Sequence, residues 1–261
     1  MSEMPKQKSP PILVANWKMN GNLQSINQLL CALKRDFLDK ELEPGQVIIL
    51  PPHIYLQTVA KDIRGTSILI GAQDADERET GAVTGGVAAK MLLDVGCEYV
   101  LLGHSERRNL FNESDGVIFQ KLKQAVKVGL KAIVCVGESF EQRNSGQVLE
   151  IISRQLKPII SQEIFPQSEE LLIAYEPIWA IGSNKSATIH QIGYVLSEIR
   201  KILRDVDINL SDSTKILYGG SVTEKNIAEI LALDEVDGAL IGGASLDSKS
   251  FSKICRIAKT I

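Results

Sequence analysis

The chain has 261 residues, 44% of them hydrophobic and 23% charged, with a formal net charge of −3 at pH 7. That length and apolar content can bury one large core, and the acidic balance without any basic run argues against nucleic acid or an anionic membrane as partner. No apolar run approaches the length of a bilayer span. The four cysteines (Cys31, Cys97, Cys135, Cys255) lie far apart with no C-x-x-C pair, which predicts reduced, buried thiols in a cytoplasmic protein rather than disulfides or a metal site.

Residues 1–10 are polar and carry two prolines without an apolar segment, so they read as a solvated arm ahead of a single domain over 11–261. Short apolar runs then recur at Ile12–Ala15, Val47–Leu50, Ser67–Ala72, Tyr99–Leu102, Ala132–Val136, Leu171–Tyr175, Lys215–Tyr218 and Gly238–Ile241. Each is the length of a strand covered on both faces. Between them come segments of helical period, such as Ile26-Leu29-Leu30-Leu33-Phe37, Val117-Leu122-Ala125-Val126 and Ile192-Val195-Leu196-Ile199-Leu203. Eight strand-then-helix units predict an α/β fold closed as a (β/α)₈ barrel of parallel strands. The rival, an open doubly wound sheet, should carry G-x-G-x-x-G after its first strand, and none is there.

In such a barrel the chemistry lies at the C-terminal ends of the strands. Those ends read Asn16-Trp17-Lys18-Met19-Asn20, Gln73, Gly103-His104-Ser105-Glu106-Arg107-Arg108, Gly137-Glu138, Glu176-Pro177, Gly219-Gly220-Ser221 and Gly242-Gly243-Ala244-Ser245. One ring therefore gathers a lysine, a histidine, carboxylates and two glycine turns. Lys18 reads as a fixed cation facing an anion. His104, followed by Ser105 and Glu106, reads as an imidazole kept from charging by the N–H groups of the turn beneath it. The glycines after the last two strands read as bare donors for a phosphate, although glycine pairs more often mark tight turns. Ser221 with Glu224 also has the form of a helix capping box.

Glu176 stands where the sixth strand runs out. Pro177 stiffens one end of the following loop, Gly182-Ser183-Asn184 softens the other, and Ile178 to Ile181 forms an apolar flap before a capping box at Thr188 and Gln191. A carboxylate beneath such a flap is the layout of a base shut away from water. Gly182 to Ser186 does not complete a P-loop, and Gly103 to Glu106 is no nucleophile elbow. Cys135 reads as core and His53 as a helix start. Two other readings stay open on residues alone: a Schiff-base barrel working through Lys18, and a barrel that binds without catalysis.

The motifs Asn16-Trp-Lys-Met-Asn20, His104-Ser-Glu-Arg-Arg108, Ala174-Tyr-Glu-Pro-Ile-Trp-Ala-Ile-Gly182 and Tyr218-Gly-Gly-Ser-Val222, in that order, resemble the triosephosphate isomerase family from about Pro11 to the C-terminus. The resemblance implies interconversion of dihydroxyacetone phosphate and D-glyceraldehyde 3-phosphate, in glycolysis and gluconeogenesis. It implies Glu176 as base, His104 as neutral electrophile and Lys18 as cation, with Asn16 beside Lys18 and Glu106 as its partner. Gly182, Ser221, Gly242 and Gly243 would hold the phosphate, with Ser105 and Thr84 in support, and no metal or organic cofactor is required. It also implies a homodimer through the Gln73–Gly86 loop. Two motifs depart from the family pattern: Thr84-Gly85-Gly86 stands for Thr-Gly-Glu, which removes a carboxylate from that loop, and Ser183-Asn184-Lys185 stands for Thr-Gly-Lys.

Overall fold

The structure is a computed structural model and describes residues 9–37, 47–161, 171–181 and 186–261. Eight strands form a closed, all-parallel barrel in chain order: β1 (Ile12–Asn16), β2 (Val47–Leu50), β3 (Leu69–Ala72), β4 (Tyr99–Leu102), β5 (Lys131–Val136), β6 (Leu171–Tyr175), β7 (Lys215–Tyr218) and β8 (Gly238–Ile241). The ring closes where Ile12 to Ala15 pair with Gly238 to Ile241. Around it run α1 (Leu23–Phe37), α2 (Leu56–Asp62), α3 (Ala89–Asp94), α4 (Ser105–Leu110), α5 (Asp115–Lys127), α6 (Phe140–Asn144), α7 (Val148–Ile159), α8 (Ile189–Val206), α9 (Ile208–Ser213), α10 (Ile227–Leu231) and α11 (Ser248–Lys259). The predicted (β/α)₈ barrel is the fold observed. Among the described residues no helix is long and apolar enough to cross a membrane.

Alternation along each strand divides the apolar side chains into two layers. Val14, Ile48, Leu101, Ile133, Cys135, Leu172, Ala174, Leu217 and Leu240 pack inside the barrel. Their neighbours Leu13, Ala15, Val134, Ile173 and Ile216 face the helices. Continued one step past the inner layer, the same alternation carries β1 to Asn16, β6 to Glu176, β7 to Gly219 and β8 to Gly242. The polar residues thus reach the barrel mouth because the strands run out there, and two of the four positions bring no side chain to fill it.

Strand limits move by up to two residues from expectation. β1 extends to Asn16 because its backbone pairs with Leu50, and β3 begins at Leu69 because Ile48 finds its partner there. The helical period places α8 correctly: Ile192, Val195, Leu196, Ile199 and Leu203 are buried, and the Thr188–Gln191 capping box forms. Three readings are corrected. Cys31 is free but exposed, since it lies outside the Ile26–Leu30–Leu33 stripe that α1 buries. On α5 the buried face centres on Ile118, Lys121, Leu122 and Ala125, so a lysine sits where the pattern asks for an apolar residue. The Ser221–Glu224 box is absent: α10 starts after Asn226 with no side-chain cap, while Glu224 pairs with Lys253 at 3.1 Å.

Candidate active site

The mouth of the barrel holds a cavity of about 430 Å³ whose lining includes Asn16, Lys18, His104, Glu176, Ser221, Gly242 and Gly243. Five strands therefore deliver a carboxylate, an imidazole, an ammonium group and two glycine-bearing turns to one space.

Glu176 is almost wholly buried, at 1% exposure. Its backbone N–H donates to Val136 O at 2.8 Å, which extends the β5–β6 ladder to the base itself. The carboxylate accepts from the Ser105 N–H at 2.9 Å through Oε2 and meets His104 Nε2 at 3.0 Å through Oε1. The Cys135 thiol, one layer down, also favours its charged form. Burial works against its charge, but His104, the Ser105 N–H and Cys135 outweigh that and hold its pKa below the ordinary carboxylate value. A buried carboxylate that stays ionised is a base in its working form.

His104 caps α4: its Nδ1 accepts the Glu106 N–H at 3.2 Å. A nitrogen that accepts cannot carry a proton, so Nε2 bears the single N–H and donates it to Glu176. Burial favours that neutral ring, whereas the Glu176 carboxylate at Nε2 and the Glu106 carboxylate beyond pull its pKa above the ordinary histidine value. The N–H under Nδ1 is the donor expected from sequence. Of the two carboxylates opposing it, Glu106 stands two residues on and Glu176 is brought by the tertiary fold.

Lys18 has φ 52°, a left-handed conformation that a lysine adopts only when its surroundings impose it. Asn16 Oδ1 accepts the Lys18 N–H at 3.0 Å, and the Gln73 side chain donates to Lys18 O and Leu50 O, each at 2.8 Å. The ammonium pairs with Glu106 Oε1 at 2.6 Å. Gly242 lies beneath the lysine stem, where a Cβ would stand 3.2 Å from Lys18 Cε. The cation thus borders the glycine turn, as an anion site requires.

A family model described as triosephosphate isomerase matches residues 11–258. The chain belongs to the triosephosphate isomerase family. Similar relatives, each named triosephosphate isomerase, include proteins of Coxiella burnetii (42% identical over 245 residues, 94% of this chain and 95% of that protein) and Nitrosococcus oceani (41% over 251 residues, 95% and 98%). A third, from Pseudomonas putida, is 40% identical over 249 residues, again 95% and 98%. Membership makes the chain an enzyme, an isomerase.

Within this member of the family, every named site residue but two meets at the cavity or touches a residue that lines it. Thr84 stands exposed on the loop after β3 and is not among the residues lining the cavity. Gly182 lies outside the described residues, as does the rest of the flap's soft end. The near end of the flap is a 3-10 turn, Ile178–Ala180.

Sequence reasoning gave Glu138 no role, yet it holds that turn. Fully buried, it accepts from the Trp179 indole at 2.8 Å, the Tyr175 hydroxyl at 3.1 Å and Arg143 at 2.9 Å. Arg108, taken with its neighbours as a charged helix start, ties α4 down by donating to Gly103 O at 2.8 Å and Cys135 O at 3.0 Å. The alternation that puts Ala174 inside the barrel also puts Cys135 there, opposite it in register, and that pattern could have revealed the thiol under Glu176.

Proposed function

We propose that the chain interconverts dihydroxyacetone phosphate and D-glyceraldehyde 3-phosphate through an enediolate. The observation that carries the reading is the convergence of Glu176, His104 and Lys18 on a cavity whose wall includes Ser221, Gly242 and Gly243. Backbone N–H groups of those turns hold the phosphate, and Lys18 faces the anion and offsets charge developing on the substrate oxygen. Glu176 leaves the Ser105 N–H, takes a proton from the carbon beside the carbonyl, and returns it to the neighbouring carbon. The electron pair left behind moves onto the carbonyl oxygen, which takes the His104 Nε2 proton, and Nε2 regains a proton from the neighbouring hydroxyl as that oxygen becomes the new carbonyl. Once Glu176 has swung towards the carbon, its pull on the imidazole is gone, and the Glu106 N–H at Nδ1 keeps the ring neutral. The flap over Glu176 excludes water that would let the enediolate shed phosphate.

The same reading includes a homodimer joined through the Gln73–Gly86 loop. Met19, Ile54, Met91 and Phe111 are exposed apolar side chains. Met19 follows Lys18, whose carbonyl accepts from Gln73, and Ile54 follows His53, which hydrogen-bonds to Asp74 O at 2.8 Å. An apolar fringe about that loop suits a second copy of the chain.

Glu176→Asp tests the base. Drawing the carboxylate back by roughly 1 Å should lower kcat on the order of 10²-fold in a coupled assay with triose phosphate. Full activity in that variant would remove Glu176 from the mechanism. Borohydride trapping of a Lys18 adduct would favour Schiff-base chemistry instead.

A further inference from the structure

Beside the catalytic cavity lies a second one, of about 490 Å³, whose lining includes Asp74, Gly86, Arg107, Glu113 and Lys121. Lys121 donates to Asp74 at 2.7 and 3.0 Å and to Glu113 Oε1 at 2.5 Å. Arg107 Nε pairs with Asp74 at 2.9 Å and with the same Glu113 oxygen at 2.6 Å. Glu113 Oε2 is buried without a hydrogen-bond partner. Two cations and two carboxylates therefore close on each other in a largely buried space. Removal of either carboxylate strands positive charge there.

Arg107 is the third residue of α4, and the residues before it do the aiming. Ser105 gives its N–H to Glu176, and Glu106 gives its N–H to His104 and its carboxylate to Lys18. A six-residue helix has little stability of its own, so its position rests on what grips it. Arg108 grips one side, and Arg107 grips the other through Asp74 and Glu113.

Gly86, on the wall of this same cavity, brings no side chain to Arg107. Here a Cβ at residue 86 would stand 2.9 Å from Asp76 Oδ2, so the space beside it is taken by a carboxylate already engaged with Arg78 at 2.7 Å. We propose that Asp74 is a positioning residue for the isomerisation: from the base of the loop it grips Arg107, and through Arg107 it holds α4 where Glu106 and Ser105 meet Lys18 and Glu176. This inference rests on the functional reading above.

The test compares the full-length parent with Asp74→Asn and Asp74→Asn/Lys121→Met. For each, kcat, KM, Tm and the affinity for phosphoglycolate are measured. Asp74→Asn should lower kcat about tenfold. Asp74→Asn/Lys121→Met restores the charge balance without restoring the grip on Arg107, so its Tm should recover and its kcat should stay low. That variant also carries the test if Asp74→Asn does not fold. The proposal is overturned if Asp74→Asn keeps its kcat, or if kcat simply follows Tm across the set. A parent inactive on triose phosphate overturns the functional reading instead, and phosphoglycolate affinity then decides whether Asp74 positions the site.

Discussion

Replacing Gly219 with alanine sets a methyl group against the base. An ideal Cβ at this position lies 2.9 Å from Glu176 Cγ and 3.3 Å from Tyr175 O. Carbon atoms pack best about 3.5–4.0 Å apart, so Cγ must yield by roughly 0.6–1.1 Å. The backbone cannot retreat, because the Gly219 N–H donates to Tyr175 O at 2.7 Å and Tyr218 pairs with Tyr175 in the ladder. The displacement falls on the carboxylate, where about 1 Å of misplacement is worth on the order of 10² in rate, or roughly 2.7 kcal/mol of barrier. A coupled assay should find kcat down about a hundredfold with KM changed much less and the thermal transition nearly unmoved. Gly220 is the contrast: a methyl there would lie 2.1 Å from the Tyr218 hydroxyl, so Gly220→Ala should lose the fold before the chemistry. If Gly219→Ala retains kcat to within about threefold, contact with the base does not govern its placement, and the reasoning from close approach fails.

Glu138→Gln removes the charge that Arg143, Tyr175 and Trp179 share, and should cost about 3 kcal/mol, seen as a Tm lower by roughly 6–12 °C in calorimetry. Folding lowers the pKa of Glu176, so the unfolded chain binds that proton more readily than the folded one. The resulting contribution is present above the ordinary carboxylate value, about 4.3, and is lost as pH falls through the folded value. In denaturant melts from neutral to acid pH, the stability difference between parent and Glu176→Gln should therefore narrow towards the acid end, and a difference independent of pH would contradict it. Met19→Asp with Phe111→Asp places charge in the apolar fringe, and sedimentation at micromolar concentration should then find monomer where the parent is a dimer.

Most of the architecture could be read from residues because a fully covered parallel strand needs a continuous apolar run, and eight such runs with helical periods between them leave few folds to choose from. The trio proposed to act together was legible as a cluster for a related reason: each member is the first polar residue after such a run, or lies within a few places of it. Partners joined across long separations were not legible. Nothing local to Lys121 announces Asp74, 47 positions away, which shares its pocket. Glu138 takes its indole donor from 41 positions away, and nothing local to Gly137-Glu138 announces that bond. The pull of Glu176 on His104 was hidden similarly, since local sequence shows the turn beneath the ring and Glu106 beside it but not what stands over it.

Lys18 has a consequence for anyone who would harden this protein against heat. A left-handed lysine costs the fold roughly 1–3 kcal/mol, whereas glycine or asparagine adopts that conformation with little or no strain. A library screened for survival alone should therefore lose its lysine early and yield barrels that are tougher and inert. Residue 18 is where selection for robustness and selection for turnover part company, and a screen that reads both will show which of the two kept the lysine in place.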